Sequence, residues 1–358
     1  MDHALRLAAR AKGRTRPNPM VGCVIVKDGK IVGRGYHHRA GLPHAEVEAL
    51  REAGEAAEGA TAYVSLEPCS HQGRTPPCAD GLIKAGIKRV VSAMTDPNPQ
   101  VAGRGLERLR QAGIEVISGV REAAALELNA PFISWITRGR PLVTIKMAAS
   151  LDGKIATHTG ESQWITGPPA RKKVQRLRDS HDIVMVGSGT VAADDPRLNC
   201  RLPGGRDPIR LVVDSKLEIP DNAAVFSSST TAPVWIATTE AAPKGRIERL
   251  KWEQGAETIL CKATGDGRVD LNDMLEQLGQ REITSVLSES GGRLTSALLE
   301  AGLGDRLALF LAPKLIGGRN APGVLDGLGV ARLREALRVD GLTTQMIGED
   351  ILIEGAFA

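Results

Sequence analysis

The chain has few aromatic residues and no long apolar run. Phenylalanine, tryptophan and tyrosine together number ten of 358 residues, whereas proteins that bind single-stranded nucleic acid stack bases on aromatic side chains. No apolar stretch approaches the roughly 18 residues that a membrane-spanning helix needs. The N-terminal MDHALRLAARAKGRTR also has no apolar signal-peptide block. The sequence therefore predicts a cytoplasmic protein with no nucleic-acid or membrane partner.

Cysteine is also scarce, and the number of cysteines is odd. The five cysteines are spread over the whole chain: Cys23, Cys69, Cys78, Cys200 and Cys261. A sparse, odd set of this kind does not form a disulfide framework. Only Cys69 and Cys78 share a predicted loop, so metal binding or redox chemistry is the question for that pair. The other three are predicted to be buried or surface thiols.

The net charge of +4 is too small to indicate nucleic-acid binding by itself. Its distribution is uneven, because residues 1–140 hold 20 basic and 14 acidic side chains whereas residues 141–358 hold 26 and 28. The modest basic excess of the first part suits a small anionic substrate.

Length and pattern predict two α/β domains. At roughly 150 residues per domain, 358 residues favour two. Strand and helix signals alternate up to residues 137–141, a plausible linker, and then alternate again. We therefore expect domains at 1–140 and 141–358. The predicted strands are 21–26, 30–36, 61–66, 87–94, 114–118, 142–147, 183–187, 210–214, 234–237, 285–289 and 306–311. The predicted helices are 4–12, 44–53, 79–85, 104–112, 170–179, 271–280 and 294–301.

Two short motifs predict a metal site. His44 and Glu46 stand at the start of a predicted helix, and Cys69 and Cys78 lie in one loop. One histidine and two cysteines give zinc three protein ligands and leave a fourth position for water, as in catalytic sites. Because Glu46 lies about 200° around the helix from His44, both reach one site only if the metal lies off the helix N-terminus. Glu46 is then the proton shuttle rather than a ligand, as is typical of zinc deaminases.

The cysteine loop is longer than the two-residue spacing usual in that pattern, since eight residues separate Cys69 from Cys78. The loop carries His71 and Arg74. His71 is either a substrate contact or a loop hydrogen-bonding residue, because as a fourth ligand it would close the open position on the metal. Arg74 either binds a phosphate or is a solvated loop charge.

Further motifs resemble the bacterial bifunctional riboflavin-biosynthesis deaminase/reductase family. They are TRPNPMVGC (15–23), DPNP (96–99), KMAASLDGK (146–154), GESQWIT (160–166) and GTVAADDP (189–196). The resemblance covers nearly the whole chain. It implies a cytidine-deaminase-like three-layer N-terminal domain and a dihydrofolate-reductase-like C-terminal domain. It also implies zinc-dependent deamination of 2,5-diamino-6-(5-phosphoribosylamino)pyrimidin-4(3H)-one, followed by reduction of the ribosyl group to ribityl with NADPH.

The same resemblance implies roles for individual residues. The catalytic residues would be Glu46, Lys146 and Asp194, and the zinc ligands His44, Cys69 and Cys78. Substrate would be bound by Asn18, His71, Arg74, Ser162, Arg178, Leu198, Arg201 and Glu289. NADPH would be bound by Ala148, Trp164, Thr190, Asp194, Ser215, Ser290, Gly291, Gly292 and Arg293. The two glycines precede a predicted helix, where free backbone N–H groups can cradle a pyrophosphate.

Alternative interpretations remain at this point. The chain could be a nucleoside or RNA deaminase fused to an unrelated reductase, although scarce aromatic residues and mild charge argue against RNA. It could also be a binding protein that has lost catalysis, although the complete His44, Glu46, Cys69 and Cys78 set argues against that. The resemblance favours a small phosphorylated pyrimidine as substrate and a homo-oligomer.

Overall fold

Two separate sheets organise the chain. The computed structural model describes residues 1–70, 77–99, 101–227 and 231–358. The chain divides into two compact units, Met1–Gly139 and Arg140–Ala358, and each has its own sheet and hydrophobic core. The predicted α/β class is confirmed. Among the described residues, no helix is long and apolar enough to cross a membrane.

The first unit is built on a sheet of five described strands in the order β2-β1-β3-β4-β5. The strands are β1 (Gly22–Lys27), β2 (Lys30–Tyr36), β3 (Thr61–Val64), β4 (Arg89–Ser92) and β5 (Glu115–Ile117). The helices are α1 (Asp2–Ala9), α2 (Ala45–Ala53), α3 (Cys78–Lys84), α4 (Arg104–Gln111), α5 (Glu122–Leu128) and α6 (Ala130–Arg138). β1 is antiparallel to β2 and β3, whereas β3, β4 and β5 are parallel.

Helix α2 packs directly on the backbone of β2. A Cβ atom at Gly33 would lie 2.2 Å from the Ala49 carbonyl oxygen, and one at Gly35 would lie 2.4 Å from that of Ala45. Only glycine permits this approach. The hairpin before it has positive φ at Asp28 (50°) and Gly29 (74°), as a type I′ turn requires. The turn and the two glycines together fix where α2 begins.

The second unit is built on a sheet of nine described strands in the order β10-β9-β8-β7-β11-β6-β12-β14-β13. The strands are β6 (Leu142–Ser150), β7 (Ile183–Gly187), β8 (Ile209–Val213), β9 (Val234–Thr238), β10 (Glu257–Leu260), β11 (Ser285–Ser288), β12 (Arg306–Ala312), β13 (Val339–Ile347) and β14 (Asp350–Phe357). The helices are α7 (Pro168–Ser180), α8 (Ser188–Asp194), α9 (Lys244–Gln254), α10 (Leu271–Gln280) and α11 (Gly292–Glu300).

The strands from β10 to β12 are parallel, and β14 and β13 are antiparallel additions. Successive residues of β7 alternate between two cores: Ile183 and Met185 belong to one, Val184 and Val186 to the other. Such a sheet is buried on both faces, so its ligands bind at the carboxyl ends of the strands. The carboxyl ends of β6, β7, β8 and β11 share one edge.

The structure differs from two local predictions in their bounds. The strand predicted at 142–147 is longer, because β6 continues to Ser150 through pairing with β12, and Lys146 therefore lies within the strand rather than near its end. The division between the two compact units falls within the predicted linker 137–141, although α6 extends to Arg138 and ends at Gly139, whose φ is 68°. Four helices were not predicted: α5, α6, α8 and α9. α9 buries only Leu250, so its sequence has no apolar periodicity to detect.

Candidate active sites

Three metal-ligating side chains meet in the first unit. His44, Cys69 and Cys78 offer ligand atoms that all lie within 4.8 Å of one another. The His44 Nδ1 atom is 3.2 Å from the Cys78 Sγ atom and 3.6 Å from the Cys69 Sγ atom. A tetrahedral zinc ion with ordinary Zn–N and Zn–S bond lengths separates neighbouring ligand atoms by about 3.6 Å. The side chains therefore fit zinc in both ligand type and spacing.

The ligands come from two helix N-termini and one strand exit. His44 is the N-cap residue of α2 (φ −74°, ψ 163°) and Cys78 is the first residue of α3. Cys69 follows β3, and its sulfur accepts a hydrogen bond from the Cys78 backbone N–H at 3.3 Å. The predicted placement of the metal off the N-terminus of α2 agrees with this geometry.

Glu46 lies beside the three ligands and is almost fully buried, with 3% exposure. Its carboxylate is within hydrogen-bonding reach of Cys78. In the protein alone, burial and the nearby Cys69 sulfur raise the pKa of Glu46 to about 7, and a cation bound by the three ligands acts in the opposite direction. The Cys78 thiol and the His44 ring hydrogen-bond to Cys69 and hold its pKa well below the ordinary value. A buried carboxyl group next to a metal site can transfer protons near neutral pH.

Asn18 is tied to this site through a second histidine. The His37 Nδ1 atom lies 3.1 Å from the Pro43 carbonyl oxygen, and Nε2 lies 3.0 Å from the Asn18 side-chain nitrogen. Because a carbonyl only accepts, Nδ1 carries the proton and a neutral ring accepts from Asn18 at Nε2. Burial lowers the pKa of His37, which favours the neutral ring. This ring packs against that of His44 in a T-shaped arrangement, with ring centroids 5.4 Å apart and ring planes at 78°.

Sequence reasoning assigned no role to Glu67, which is buried two residues before Cys69. Its carboxylate accepts backbone N–H groups from the segment 96–106. No local pattern predicts this contact, because its partners are backbone groups far along the chain. His71 and Arg74 lie outside the described residues.

A buried charge cluster lies at the carboxyl edge of the second sheet. Arg178 forms a two-point ion pair with Glu289, with N–O distances of 2.6 and 2.9 Å. Lys146 lies 3.9 Å from the same carboxylate. Burial opposes ionisation, but the Arg178 and Lys146 charges hold the pKa of Glu289 at about 2. Burial lowers the pKa of Lys146. Arg178 also donates to the Asn199 carbonyl oxygen at 2.9 Å, so most of its donors are committed within the protein.

Several predicted cofactor residues lie close together after the carboxyl ends of β7 and β11. The Thr190 hydroxyl accepts the Gly291 N–H at 3.2 Å. The Ser290 hydroxyl accepts from that of Ser288 at 3.0 Å. The Ser162 hydroxyl donates to Asp194 at 2.9 Å. α11 begins after Gly291 without a side-chain cap among the described residues, which leaves first-turn N–H groups suited to a pyrophosphate.

The remaining predicted residues have the following positions. Ser215 follows β8, and its hydroxyl accepts the Val269 N–H. Leu198 is buried with a positive φ of 57°, and the Arg201 N–H donates to the Gln175 side chain. Trp164 is exposed, and the Arg171 guanidinium lies 4.6 Å from its ring centroid. Ala148 lies within β6, and Gly292 and Arg293 open α11.

Family models match both units. Residues 1–94 match the cytidine and deoxycytidylate deaminase zinc-binding region, and residues 141–353 match the RibD C-terminal domain.

Similar proteins match the chain over almost its whole length. Riboflavin biosynthesis protein RibD of Escherichia coli K12 is 46% identical over 367 residues, which is 99% of this chain and 97% of the relative. That of Actinobacillus pleuropneumoniae is 45% identical over 354 residues, covering 99% and 93%. The solved structure of Acinetobacter baumannii RibD has a TM-score of 0.89 at 40% identity, covering 100% and 97%. A Thermotoga maritima structure named diaminohydroxyphosphoribosylaminopyrimidine deaminase/5-amino-6-(5-phosphoribosylamino)uracil reductase has a TM-score of 0.86 at 36% identity, with the same coverage.

Proposed function

Since the chain belongs to the RibD family of riboflavin biosynthesis proteins, we propose that its two units act in turn on one phosphorylated pyrimidine. The chain is a deaminase and a reductase of riboflavin biosynthesis. We propose 2,5-diamino-6-(5-phosphoribosylamino)pyrimidin-4(3H)-one as the first substrate, on account of the name of the Thermotoga relative. The observation that carries the proposal is the His44, Cys69 and Cys78 cluster with buried Glu46 beside it.

The proposed deamination replaces the 2-amino group of the ring by oxygen and releases ammonia. Zinc bound by the three ligands supplies a water activated for attack near neutral pH. Glu46 takes a proton from the attacking water and delivers it to the leaving nitrogen. Asn18 is proposed to hold the ring edge. Because His37 engages the Asn18 side-chain nitrogen, the amide oxygen remains to accept from a ring N–H or amino group.

The proposed reduction adds a hydride and a proton to the ribosyl group. NADPH supplies the hydride, and the exits of β7, β8 and β11 are proposed to hold it through Thr190, Ser215 and the N-terminus of α11. Lys146 and Glu289 are proposed to hold the sugar oxygens. Asp194 is proposed to lie beside Lys146 and Glu289 at the sugar. The Ser162 hydroxyl donates a hydrogen bond to its carboxylate, and its negative charge acts against the lowering of the Lys146 pKa by burial. We propose that both reactions take place in the cytoplasm.

Product analysis tests the proposal directly. The purified chain should release ammonia from the phosphoribosylated diaminopyrimidine without NADPH, and oxidise NADPH only once the deaminated product is present. Chromatography of products with and without NADPH separates the two steps. Cytidine and deoxycytidylate are the competing substrates. Ammonia from these two alone would instead support the nucleoside-deaminase interpretation.

We also propose that the chain forms a homo-oligomer through the β13 edge of the second sheet. β13 is the last described strand of that sheet, and Leu342 and Met346 on it are 58% and 61% exposed. Leu328, Leu333 and Leu337, in the segment that leads to it, are also exposed. A long exposed edge strand with apolar side chains is a template for pairing with another chain.

Sedimentation velocity measures this assembly. Met346→Glu should lower the sedimentation coefficient toward that of a monomer, because a charge replaces an apolar contact at the shared edge. Trp252→Glu is the control, since Trp252 is 84% exposed on α9, away from β13. A monomeric wild-type chain, or a Met346 variant that sediments as the wild type does, would contradict this assembly.

A further inference from the structure

The loops after β3 and β4 leave the first sheet side by side. β3 and β4 are parallel neighbours, so both loops emerge at the same edge. The strand pairing continues past the strand ends, because the Ala93 N–H donates to Val64 at 2.9 Å and the Glu67 N–H donates to Met94 at 3.0 Å. The loop that carries Cys69 therefore runs beside the loop that begins at Asp96.

The Glu67 carboxylate joins these two loops to helix α4. One oxygen accepts the Asp96 and Gly103 N–H groups at 3.0 and 2.9 Å. The other accepts the Gly105 and Leu106 N–H groups at 2.8 and 3.4 Å. Glu67 is 3% exposed, and hydrogen bonds to a buried carboxylate are stronger than those between neutral groups. Two of these donors belong to the first turn of α4, where the helix dipole also favours a negative charge.

Close packing extends this attachment to Cys69. A Cβ atom at Gly105 would lie 1.9 Å from the Pro68 carbonyl oxygen, so α4 lies directly against the peptide that precedes Cys69. On the other side, the Cys69 carbonyl oxygen accepts the Ala79 N–H at 3.1 Å, and its sulfur accepts the Cys78 N–H at 3.3 Å. Cys69 is thus held between α4 and α3.

We propose that Glu67 is a positioning residue for the deaminase metal site, fixing the Cys69 sulfur in its ligand position by anchoring residues 67–69 to α4 and to the loop after β4. The inference rests on the proposed zinc ligation by His44, Cys69 and Cys78. It assigns Glu67 no contact with metal or substrate.

Replacement of Glu67 by glutamine tests whether the carboxylate anchors residues 67–69. The side chain keeps its length, but one acceptor oxygen becomes an NH2 group that faces two backbone N–H donors. Two buried N–H groups then lose their partner, which is costly in a site closed to water. The loop must shift to separate the new NH2 group from the backbone N–H donors that it faces, and the Cys69 sulfur shifts with the loop.

The experiment uses the full chain with cobalt(II) in place of zinc, because the thiolate-to-cobalt absorption band reports the geometry of the cysteine ligands. Glu67→Gln should shift this band, weaken zinc binding about 10- to 100-fold, as outer-shell substitutions do, and lower kcat for deamination. The reductase kcat should stay at the wild-type value, which shows that the second unit is unaffected, and a cobalt band that is shifted but still present shows that the first unit still brings its three ligands together. Glu107→Gln, at an exposed glutamate of α4, is the matched control and should change none of these.

Gly105→Ala provides a second route to the same contact, because its methyl group presses on the Pro68 carbonyl oxygen without altering any charge. It should shift the cobalt band as well. A wild-type band and wild-type zinc affinity in both variants would overturn the positioning role while leaving the proposed function intact. If the wild-type chain itself binds no metal through the three ligands, the proposed function and this inference both fail.

Discussion

Glu46→Gln is expected to lower the deamination rate by about 10³-fold, within the range for loss of a general acid–base group. Glutamine keeps the shape of the buried side chain but cannot take a proton from the attacking water or give one to the leaving amine. His44, Cys69 and Cys78 remain in place, so metal analysis should still find about one zinc per chain. Steady-state ammonia release measures the loss.

Two controls separate this effect from unfolding. Glu48→Gln changes a glutamate two residues further along α2, which bonds to Arg51 at the surface, and should leave ammonia release unchanged. NADPH-dependent reduction of the deaminated intermediate should continue in the Glu46 variant. Loss of reduction together with deamination in a well-folded variant would contradict two independent sites, and full deamination would remove Glu46 from the mechanism.

Glu289→Gln is expected to destabilise the second unit by about 3–5 kcal/mol, because it leaves Arg178 without the partner of its buried ion pair. Lys146 loses the same counter-charge at 3.9 Å. Reduction should also fall sharply, since Lys146 is no longer held toward the sugar. Differential scanning calorimetry of the full chain measures the stability loss. Glu257→Gln, which breaks a half-exposed ion pair with Arg281, is the control and should cost less than about 1 kcal/mol.

The stability difference between the wild type and Glu289→Gln should depend on pH, and its sign follows from the pKa of Glu289. The pKa of Glu289 is about 2 in the folded chain and about 4.3 when unfolded. A depressed carboxyl pKa contributes stability that is fully present above the unfolded value and is lost as the pH falls toward the folded value. The gap in unfolding free energy between the wild type and Glu289→Gln should therefore narrow from about pH 4.5 down to about pH 2. A gap that stays constant over this window would show that folding does not depress the pKa of Glu289.

The sequence predicts elements that have a clear period or a clear turn. Residues 271–280 are predicted as a helix and form α10, whose apolar side chains repeat on one buried face. The Asp28-Gly29 hairpin is likewise as expected. β6 is longer than predicted, because its last residues are held by pairing with β12, a strand more than 150 residues further on. α8 was not predicted because Ser188, Gly189 and Thr190 are weak helix formers.

Some residues of the candidate sites could be predicted from the sequence, whereas others could not. His44, Glu46, Cys69 and Cys78 could be found from the sequence because zinc chemistry restricts ligand type and spacing. The pairing of Arg178 with Glu289 could not, because the two residues are 111 positions apart. The role of Glu67 could not be predicted either, since its partners are backbone N–H groups, which nearly every residue has whatever its side chain.

The glycines beneath α2 have a genetic consequence. His44 and Glu46 are carried by a helix whose distance from the sheet depends on the missing side chains of Gly33 and Gly35. An allele that adds even one methyl group there displaces the helix from the sheet and its N-terminus from the cysteine ligands. Such an allele would behave in complementation as a loss of the first reaction alone, although it alters no residue that takes part in the chemistry.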